Sequence, residues 1–261
     1  SSDVCSSDLV MKHITLEACV DSVESAVAAY KGGADRLELC QNLLIGGTTP
    51  DPWLFDEVRK KTDIRIHVLI RPRFGDFCYT DFEFKLICDA VDAYRRMGAD
   101  GIVIGVLKAD GSLDMERMNI LMEKRGDMSV TLHRAFDVCK DPFTTLDQVI
   151  NLGIDTILTS GQENLCIDGK DLIRELVQAS EGKVAIQAGS GVNAQVIEEL
   201  YPYTGATCYH MSGKIVLESP MTYRKTNVNM GAPGISEYEI WRTDEGKIKE
   251  ARQIINRLQK R

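Results

Sequence analysis

Polar and apolar residues alternate most clearly at Arg36-Leu-Glu-Leu-Cys40, and this pattern predicts a β-strand. It places Leu37 and Leu39 on one face and Arg36, Glu38 and Cys40 on the other. An open sheet would leave the polar face in water. A closed parallel barrel would instead direct it at the barrel axis, where charges must be paired or must serve a ligand.

Similar strand patterns recur along the chain and alternate with helix patterns. The predicted strands cover residues 14–19, 36–40, 66–73, 102–105, 130–133, 156–159, 184–188 and 208–210. Helices are predicted over residues 53–61, 81–97, 114–124, 169–179 and 194–200, and two more open near Ser22 and Asp141. Eight such units predict an α/β fold, a single (β/α)8 or TIM barrel over residues 11–261, and an open doubly wound sheet is the alternative.

A short repeat supports the count of eight units. Its four copies stand just before predicted strands: Gly33-Ala-Asp35, Gly98-Ala-Asp100, Gly153-Ile-Asp155 and Gly205-Ala-Thr207. After Ser212 we expect an irregular C-terminal extension and then a helix over residues 244–259, which would cover the barrel or a partner subunit. Residues 1–10 repeat themselves and precede a plausible initiator at Met11, so we interpret them as a non-native or disordered leader.

Composition excludes several classes of function. The 261 residues are 44% hydrophobic and 27% charged with a net charge of −8, which argues against nucleic acid or an anionic membrane surface as the main partner. No apolar run is long enough to cross a membrane. The eight cysteines are scattered and include no C-x-x-C pair, so we expect reduced thiols in a cytoplasmic protein rather than disulfides or a zinc knuckle.

Polar side chains gather where the predicted strands end, which in this fold is where sites are built. The candidate catalytic residues are Glu17, Glu38, His133 and Asp137. His133 would act as acid or base with Asp137 orienting it, although a buried structural histidine is the alternative. Glu17 and Glu38 could equally be ion-pair partners of Arg36 and Arg71 inside the barrel.

A second group of residues suits an anionic ligand. The candidate ligand-binding residues are Arg36, Arg71, Arg73, Asp76, Ser160, Gly189, Gly191, His210 and Ser212. Arg71 and Arg73 flank a rigid proline and present two forked cations that suit a carboxylate or phosphate. The Gly189 to Gly191 turn follows the seventh strand, where barrels often hold phosphate, although tight turns need glycine anyway.

Cys19 and Cys40 end adjacent predicted strands with the same parity, so their thiols could meet at the barrel mouth. Two soft thiolates suit Cu(I) as a bound metal, and small core residues are the alternative.

Seven motifs, in order along the chain, resemble the CutC family of cytosolic copper homeostasis proteins. They are LEACVDSVESA (16–26), GGADRLELC (32–40), GGTTP (46–50), IRPRFGDFCY (70–79), GADGIVIGVL (98–107), TLHRAFD (131–137) and LTSG (158–161). The resemblance implies a TIM barrel that forms a homo-oligomer and binds Cu(I) through Cys19 and Cys40.

Two functions therefore stay open. The first is Cu(I) handling at Cys19 and Cys40, without turnover. The second is an enzyme acting on a small anionic metabolite that bears a phosphate or carboxylate, which Arg71, Arg73 and the glycine turn would hold while His133 or Glu17 moves a proton.

Overall fold

A computed structural model describes residues 13–225, 227–231 and 234–260, so the predicted leader over residues 1–10 lies outside the described part. Eight parallel strands pair in chain order and the eighth pairs with the first, which closes a barrel. The strands are β1 Thr15–Val20, β2 Arg36–Leu39, β3 Arg65–Leu69, β4 Gly101–Ile104, β5 Ser129–Leu132, β6 Thr156–Thr159, β7 Ala185–Ala188 and β8 Cys208–Met211. The TIM-barrel prediction is confirmed, and the open-sheet alternative is excluded.

Helices surround the barrel. They are α1 Val23–Gly32, α2 Pro52–Lys61, α3 Asp81–Arg96, α4 Met115–Lys124, α5 Pro142–Leu152, α6 Lys170–Ala179, α7 Ala194–Thr204 and α8 Glu245–Leu258. Most begin with a polar residue whose side chain accepts a backbone N–H, and Thr80 with Glu83 forms a complete capping box at α3. Across the described residues, every helix is too short or too polar to span a membrane.

The aspartates of the short repeat tie neighbouring strands together at their amino ends. Asp35 accepts the backbone N–H of Leu16 at 2.7 Å, and Asp100 accepts that of Ile66 at 2.8 Å. Asp155 does the same for Val130 at 2.8 Å. The preceding glycines adopt positive φ to end their helices. In these three copies the glycine ends the helix, and the aspartate bonds to the neighbouring strand as the next strand begins.

The C-terminal extension is more ordered than the sequence predicts. After β8 the chain forms β9 Lys214–Glu218, which pairs antiparallel with β10 Glu239–Thr243. The Lys214 ammonium stands 3.2 Å from the centre of the Trp241 ring, which adds a cation–π contact to the ribbon. Helix α8 then packs on α1 and α7, so it fills the eighth helical position of the ring.

The two faces of the barrel strands differ as the alternation predicts. Leu37 and Leu39 are fully buried in the main hydrophobic core between strands and helices. The opposite face of the same strand points inward, where Arg36 is paired in register with Glu17 and Glu38 with Cys19. The barrel axis is therefore charged, unlike the branched apolar filling that is usual for this fold.

Candidate metal and ligand site at the barrel mouth

A network of charged and polar side chains fills the barrel below its mouth. Glu17, which is fully buried, accepts from the Arg36 Nε at 2.5 Å, from the Gln187 amide at 2.8 Å and from the His210 Nδ1 at 2.6 Å. Arg36 also donates to Gln187 at 3.2 Å. Both Glu17 oxygens are thus occupied, and the carboxylate fixes the orientation of Arg36 and His210.

Charge pairing sets the protonation states of this network. Burial opposes ionisation of Glu17, yet the Arg36 guanidinium and His210 hold its pKa well below the ordinary value. Burial likewise works against the His210 imidazolium, but Glu38, Cys19 and Glu17 together raise its pKa well above the ordinary value. Glu17 is therefore ionised and paired at neutral pH, and its role as a proton carrier stays a prediction.

The two thiols predicted to meet do lie together. The Sγ atoms of Cys19 and Cys40 are 4.0 Å apart, and the Cys40 thiol donates to the Val20 carbonyl at 3.4 Å. Both are buried, in a small cluster with Leu69 and Val103. The hydrogen bond to Cys40 and burial raise the pKa of Cys19, and burial raises that of Cys40 despite the opposing effect of Cys19. Both thiols are therefore protonated at neutral pH.

Glu38 and His210 complete a group of donor atoms around Cys19. One ligand atom from each of Cys19, Glu38 and His210 lies within 4.8 Å of the others. Within the described residues, this is the group of Cys, His and carboxylate side chains whose spacing could hold a metal ion. Burial, opposed by His210, raises the pKa of Glu38 to about 7, so this carboxyl can gain or lose a proton near neutral pH.

These donors open into a cavity of about 360 Å³ at the carboxyl ends of the strands. The polar lining comprises Cys19, Glu38, Arg71, His133, Arg134, Ser190, His210 and Ser212. The apolar lining includes Leu43, Leu69, Phe77, Leu158, Val192 and Met211. The volume and the mixed lining are those of a small-molecule pocket.

Arg73 and Asp76 do not line this cavity, contrary to the expectation from sequence. Arg73 donates to Asp76 at 3.0 Å and to Glu83 at 2.6 Å, and its guanidinium stacks over the Tyr79 ring. The strand predicted to reach residue 73 ends at Leu69, so alternation no longer sets the direction of these side chains. Arg73 and Asp76 instead stabilise the loop that precedes α3.

Asp137 orients a loop rather than His133, which corrects a second expectation. It accepts from the Arg134 Nε at 2.6 Å and from the hydroxyl and backbone N–H of Ser160. The chain turns into a short 3₁₀ helix directly after His133, which swings Asp137 towards β6. Asp137 and Ser160 therefore lie beside the cavity without lining it.

The glycines after β7 are explained by close packing. A Cβ on Gly189 would stand 2.5 Å from Leu158 Cδ1, and one on Gly191 would stand 2.9 Å from Leu165 Cδ2. Gly191 also has φ of +78°, which favours glycine. Of the two, Gly191 lines the cavity, and the predicted anion-binding role of this turn stays a prediction.

Sequence reasoning missed two ring side chains, His67 inside the barrel and Phe77 in the wall of the cavity. His67 lies inside the barrel with its Nε2 3.1 Å from the Ser129 hydroxyl, and burial with nearby Arg36 lowers its pKa to about 4. Parity along β3 could have found it, because it shares a face with Leu69 and Arg71. Phe77 belongs to an irregular loop, which carries no periodic signal, yet its ring packs on both Arg71 and His133.

The fold and the site together define a TIM-barrel protein whose mouth brings a thiol, an imidazole and a carboxyl group into one pocket, with a second thiol directly behind the first. A family model described as the CutC family matches residues 14–215, and the chain belongs to that family. A CutC-family protein of Bacteroides fragilis strain YCH46 is 42% identical over 94% of this chain and 98% of its own length.

Two further relatives agree with that assignment. The human copper homeostasis protein cutC homolog is 38% identical over 93% of this chain and 89% of its own length. A crystal structure of CutC from Streptococcus agalactiae superposes with a TM-score of 0.72 at 29% identity, covering 76% of this chain and 98% of that one. The resemblance predicted from the motifs is confirmed.

Proposed function

We propose that this protein takes part in copper homeostasis by binding Cu(I) at Cys19 and Cys40, with His210 as a third ligand. The observation that carries the proposal is the pair of buried thiols, 4.0 Å apart, beside an imidazole that a carboxylate already orients. Relatives named for copper homeostasis, such as the human homolog, support copper as the metal.

The spacing of the two sulfur atoms suits one metal ion held between them. With metal–sulfur bonds of about 2.3 Å, a separation of 4.0 Å corresponds to an S–metal–S angle of about 120°. That angle leaves room for a third ligand in a trigonal arrangement. Soft thiolates favour Cu(I) over hard cations, and the surrounding Leu69 and Val103 keep water away from it.

His210 is arranged as metal-binding histidines usually are. Its Nδ1 is engaged by Glu17, which fixes the ring and leaves Nε2 as the ligand atom for a metal. The ligand atoms of His210 and Cys19 lie within 4.8 Å of each other, so both can reach one bound ion. When a cation displaces the protons, Glu38 stands close enough to balance its charge.

We also propose that the protein works in the cytoplasm. The seven cysteines among the described residues are free, which suits the reducing cytoplasm. Assembly as a homo-oligomer is a further part of the proposal and follows from the resemblance to the family.

Anaerobic titration of the reduced chain with Cu(I), against a chromogenic chelator, tests this function. We expect one tightly held Cu(I) per chain and the release of at least two protons for each ion at pH 7, because both thiols begin protonated. A third proton comes from His210, whose raised pKa leaves it protonated before the metal binds. Complete loss of copper to the chelator, or binding without proton release, would contradict the proposal, and a parallel Zn(II) titration controls for the choice of metal.

A further inference from the structure

Three buried polar atoms around the cavity lack a hydrogen-bond partner within the described part of the chain. They are the Glu38 Oε2, the Arg71 Nε and the His133 Nε2, and all three residues line the cavity. Their residues are at most 8% exposed. Buried polar atoms are almost always satisfied in proteins, so three orphans in residues that line one cavity point to that cavity as a ligand-binding site.

Arg71 carries a positive charge that nothing in the described residues balances. Its two terminal nitrogens donate to the carbonyls of Gly46, Gly47 and Gly75 at 2.9 to 3.0 Å. Those carbonyls are neutral, and no described carboxylate approaches the guanidinium within 4.0 Å. Its position is rigid because the group also lies over the Phe77 ring at 5.1 Å. A buried, fixed and unpaired cation is costly unless an anion binds to it.

His133 offers a hydrogen-bond donor beside this cation. Its Nδ1 accepts the backbone N–H of Ala135 at 3.1 Å, and burial together with Arg71 lowers its pKa to about 3. The ring is therefore neutral at pH 7, and hydrogen bonding at Nδ1 assigns its proton to Nε2. Because its ring packs on Phe77 with centroids 4.6 Å apart, His133 and Arg71 flank the same aromatic side chain.

The third orphan, Glu38 Oε2, belongs to the thiol side of the cavity, 4.0 Å from the His210 Nδ1. A carboxyl group in this position can accept from or donate to a hydroxyl or carbonyl oxygen, depending on its proton. Apolar side chains such as Leu69 and Leu158 line the same cavity. A ligand that satisfies all three orphans thus has an anionic end, a short carbon skeleton and a second oxygen.

We propose that this pocket binds a small hydroxy- or oxo-carboxylate, whose carboxylate accepts from the Arg71 Nε and the His133 Nε2 while its second oxygen meets Glu38. The proposal does not rest on copper binding, although the two ligands share the Cys19 side of the pocket. It gives a function to Arg71, Phe77 and His133, which a metal held by Cys19 and Cys40 does not need.

Charge favours a carboxylate over a phosphate. Arg71 supplies one uncompensated positive charge and His133 is neutral, which matches a single negative charge. The glycine turn after β7, where phosphate would be expected in this fold, is already packed against Leu158 and Leu165. The anionic end therefore belongs at Arg71 rather than at the turn.

Calorimetry and thermal shift on the full chain, with acetate, glycolate, pyruvate and methyl phosphate as probes, test this inference. We expect saturable binding of glycolate or pyruvate, weaker binding of acetate, and the weakest of methyl phosphate. Arg71→Lys and His133→Phe should each weaken glycolate binding by about tenfold or more, because each removes a hydrogen bond to a charged group. Arg71→Lys could also disturb the loop whose carbonyls Arg71 binds. His133→Phe is the second test for that reason, because phenylalanine keeps the packing on Phe77.

Two controls separate this inference from the copper proposal. Arg73→Ala removes an arginine of the same loop that does not line the cavity, so it should leave glycolate affinity unchanged. Cys40→Ser should weaken Cu(I) binding and spare glycolate binding, since Cys40 stands behind Cys19 and outside the lining. Absence of saturable carboxylate binding, tighter binding of methyl phosphate than of glycolate, or unchanged affinity in both pocket variants would overturn the inference.

Discussion

Replacing Cys19 and Cys40 together with serine is expected to abolish tight Cu(I) binding. Loss of a residue that hydrogen-bonds to a metal ligand typically weakens metal affinity by about 10- to 100-fold. Replacing both sulfur ligands should therefore weaken Cu(I) affinity by more than about 100-fold. Serine hydroxyls are hard, weakly acidic ligands and do not replace thiolates for a soft ion. Competition with a chelator of known affinity, under anaerobic conditions, measures the change.

Cys208→Ser is the matched control for that experiment. Cys208 is also a buried thiol of the barrel, but it is the first residue of β8 and so lies at the end of the barrel opposite the mouth. Its replacement should leave Cu(I) affinity within about threefold, in the range of context effects on individual interactions. Equal losses in the control and in the double variant, or no loss in either, would place the copper elsewhere.

Arg36→Ala is expected to lower the free energy of unfolding by about 3–5 kcal/mol, because it leaves a buried carboxylate without its cation. Glu17 is fully buried and its salt bridge with Arg36 is 2.5 Å long. Folding lowers the pKa of Glu17 well below 4.5, so its stabilising contribution is fully present above the ordinary value of 4.5 and is lost progressively as pH falls from there towards the lower folded-state pKa. Urea denaturation at pH 7 measures the effect of Arg36→Ala, and a series from pH 7 down to pH 3 measures the loss of the Glu17 contribution.

A neutral double variant distinguishes charge from packing. Arg36→Met with Glu17→Gln removes both charges, and it should recover most of the lost stability if the unpaired carboxylate is the cause. Arg73→Ala serves as a reference for a partly exposed arginine and should cost about 1 kcal/mol or less. An Arg36→Ala variant as stable as Arg73→Ala would show that the axial ion pair contributes little.

Much of the fold follows from local sequence patterns. Alternation at residues 36–40 placed the leucines against helices and the charges inside, and the structure agrees. Each of the four repeat copies predicted the end of one helix, and the aspartates of three copies carry contacts between strands. The ribbon of β9 and β10 was not predictable in this way, because its two strands pair across an intervening segment of about twenty residues without a local turn signal.

The candidate site shows the same division between strands and loops. Cys19, Glu38 and His210 lie on or at the ends of regular strands, where parity sets side-chain direction, and they come together as predicted. Arg73, Asp76 and Asp137 lie in turns, where one residue can swing a side chain away from the axis, and they bind to loop partners instead. Phe77 joins the pocket through tertiary packing alone.

X-ray absorption spectroscopy of the protein loaded with one equivalent of Cu(I) tests the metal site most directly. The geometry of Cys19, Cys40 and His210 predicts two sulfur neighbours and one nitrogen neighbour around each copper. The Cys208→Ser variant should give the same spectrum. A first shell of nitrogen and oxygen atoms alone, or a sulfur signal that survives the Cys19→Ser/Cys40→Ser replacement, would contradict copper binding at the mouth of this barrel.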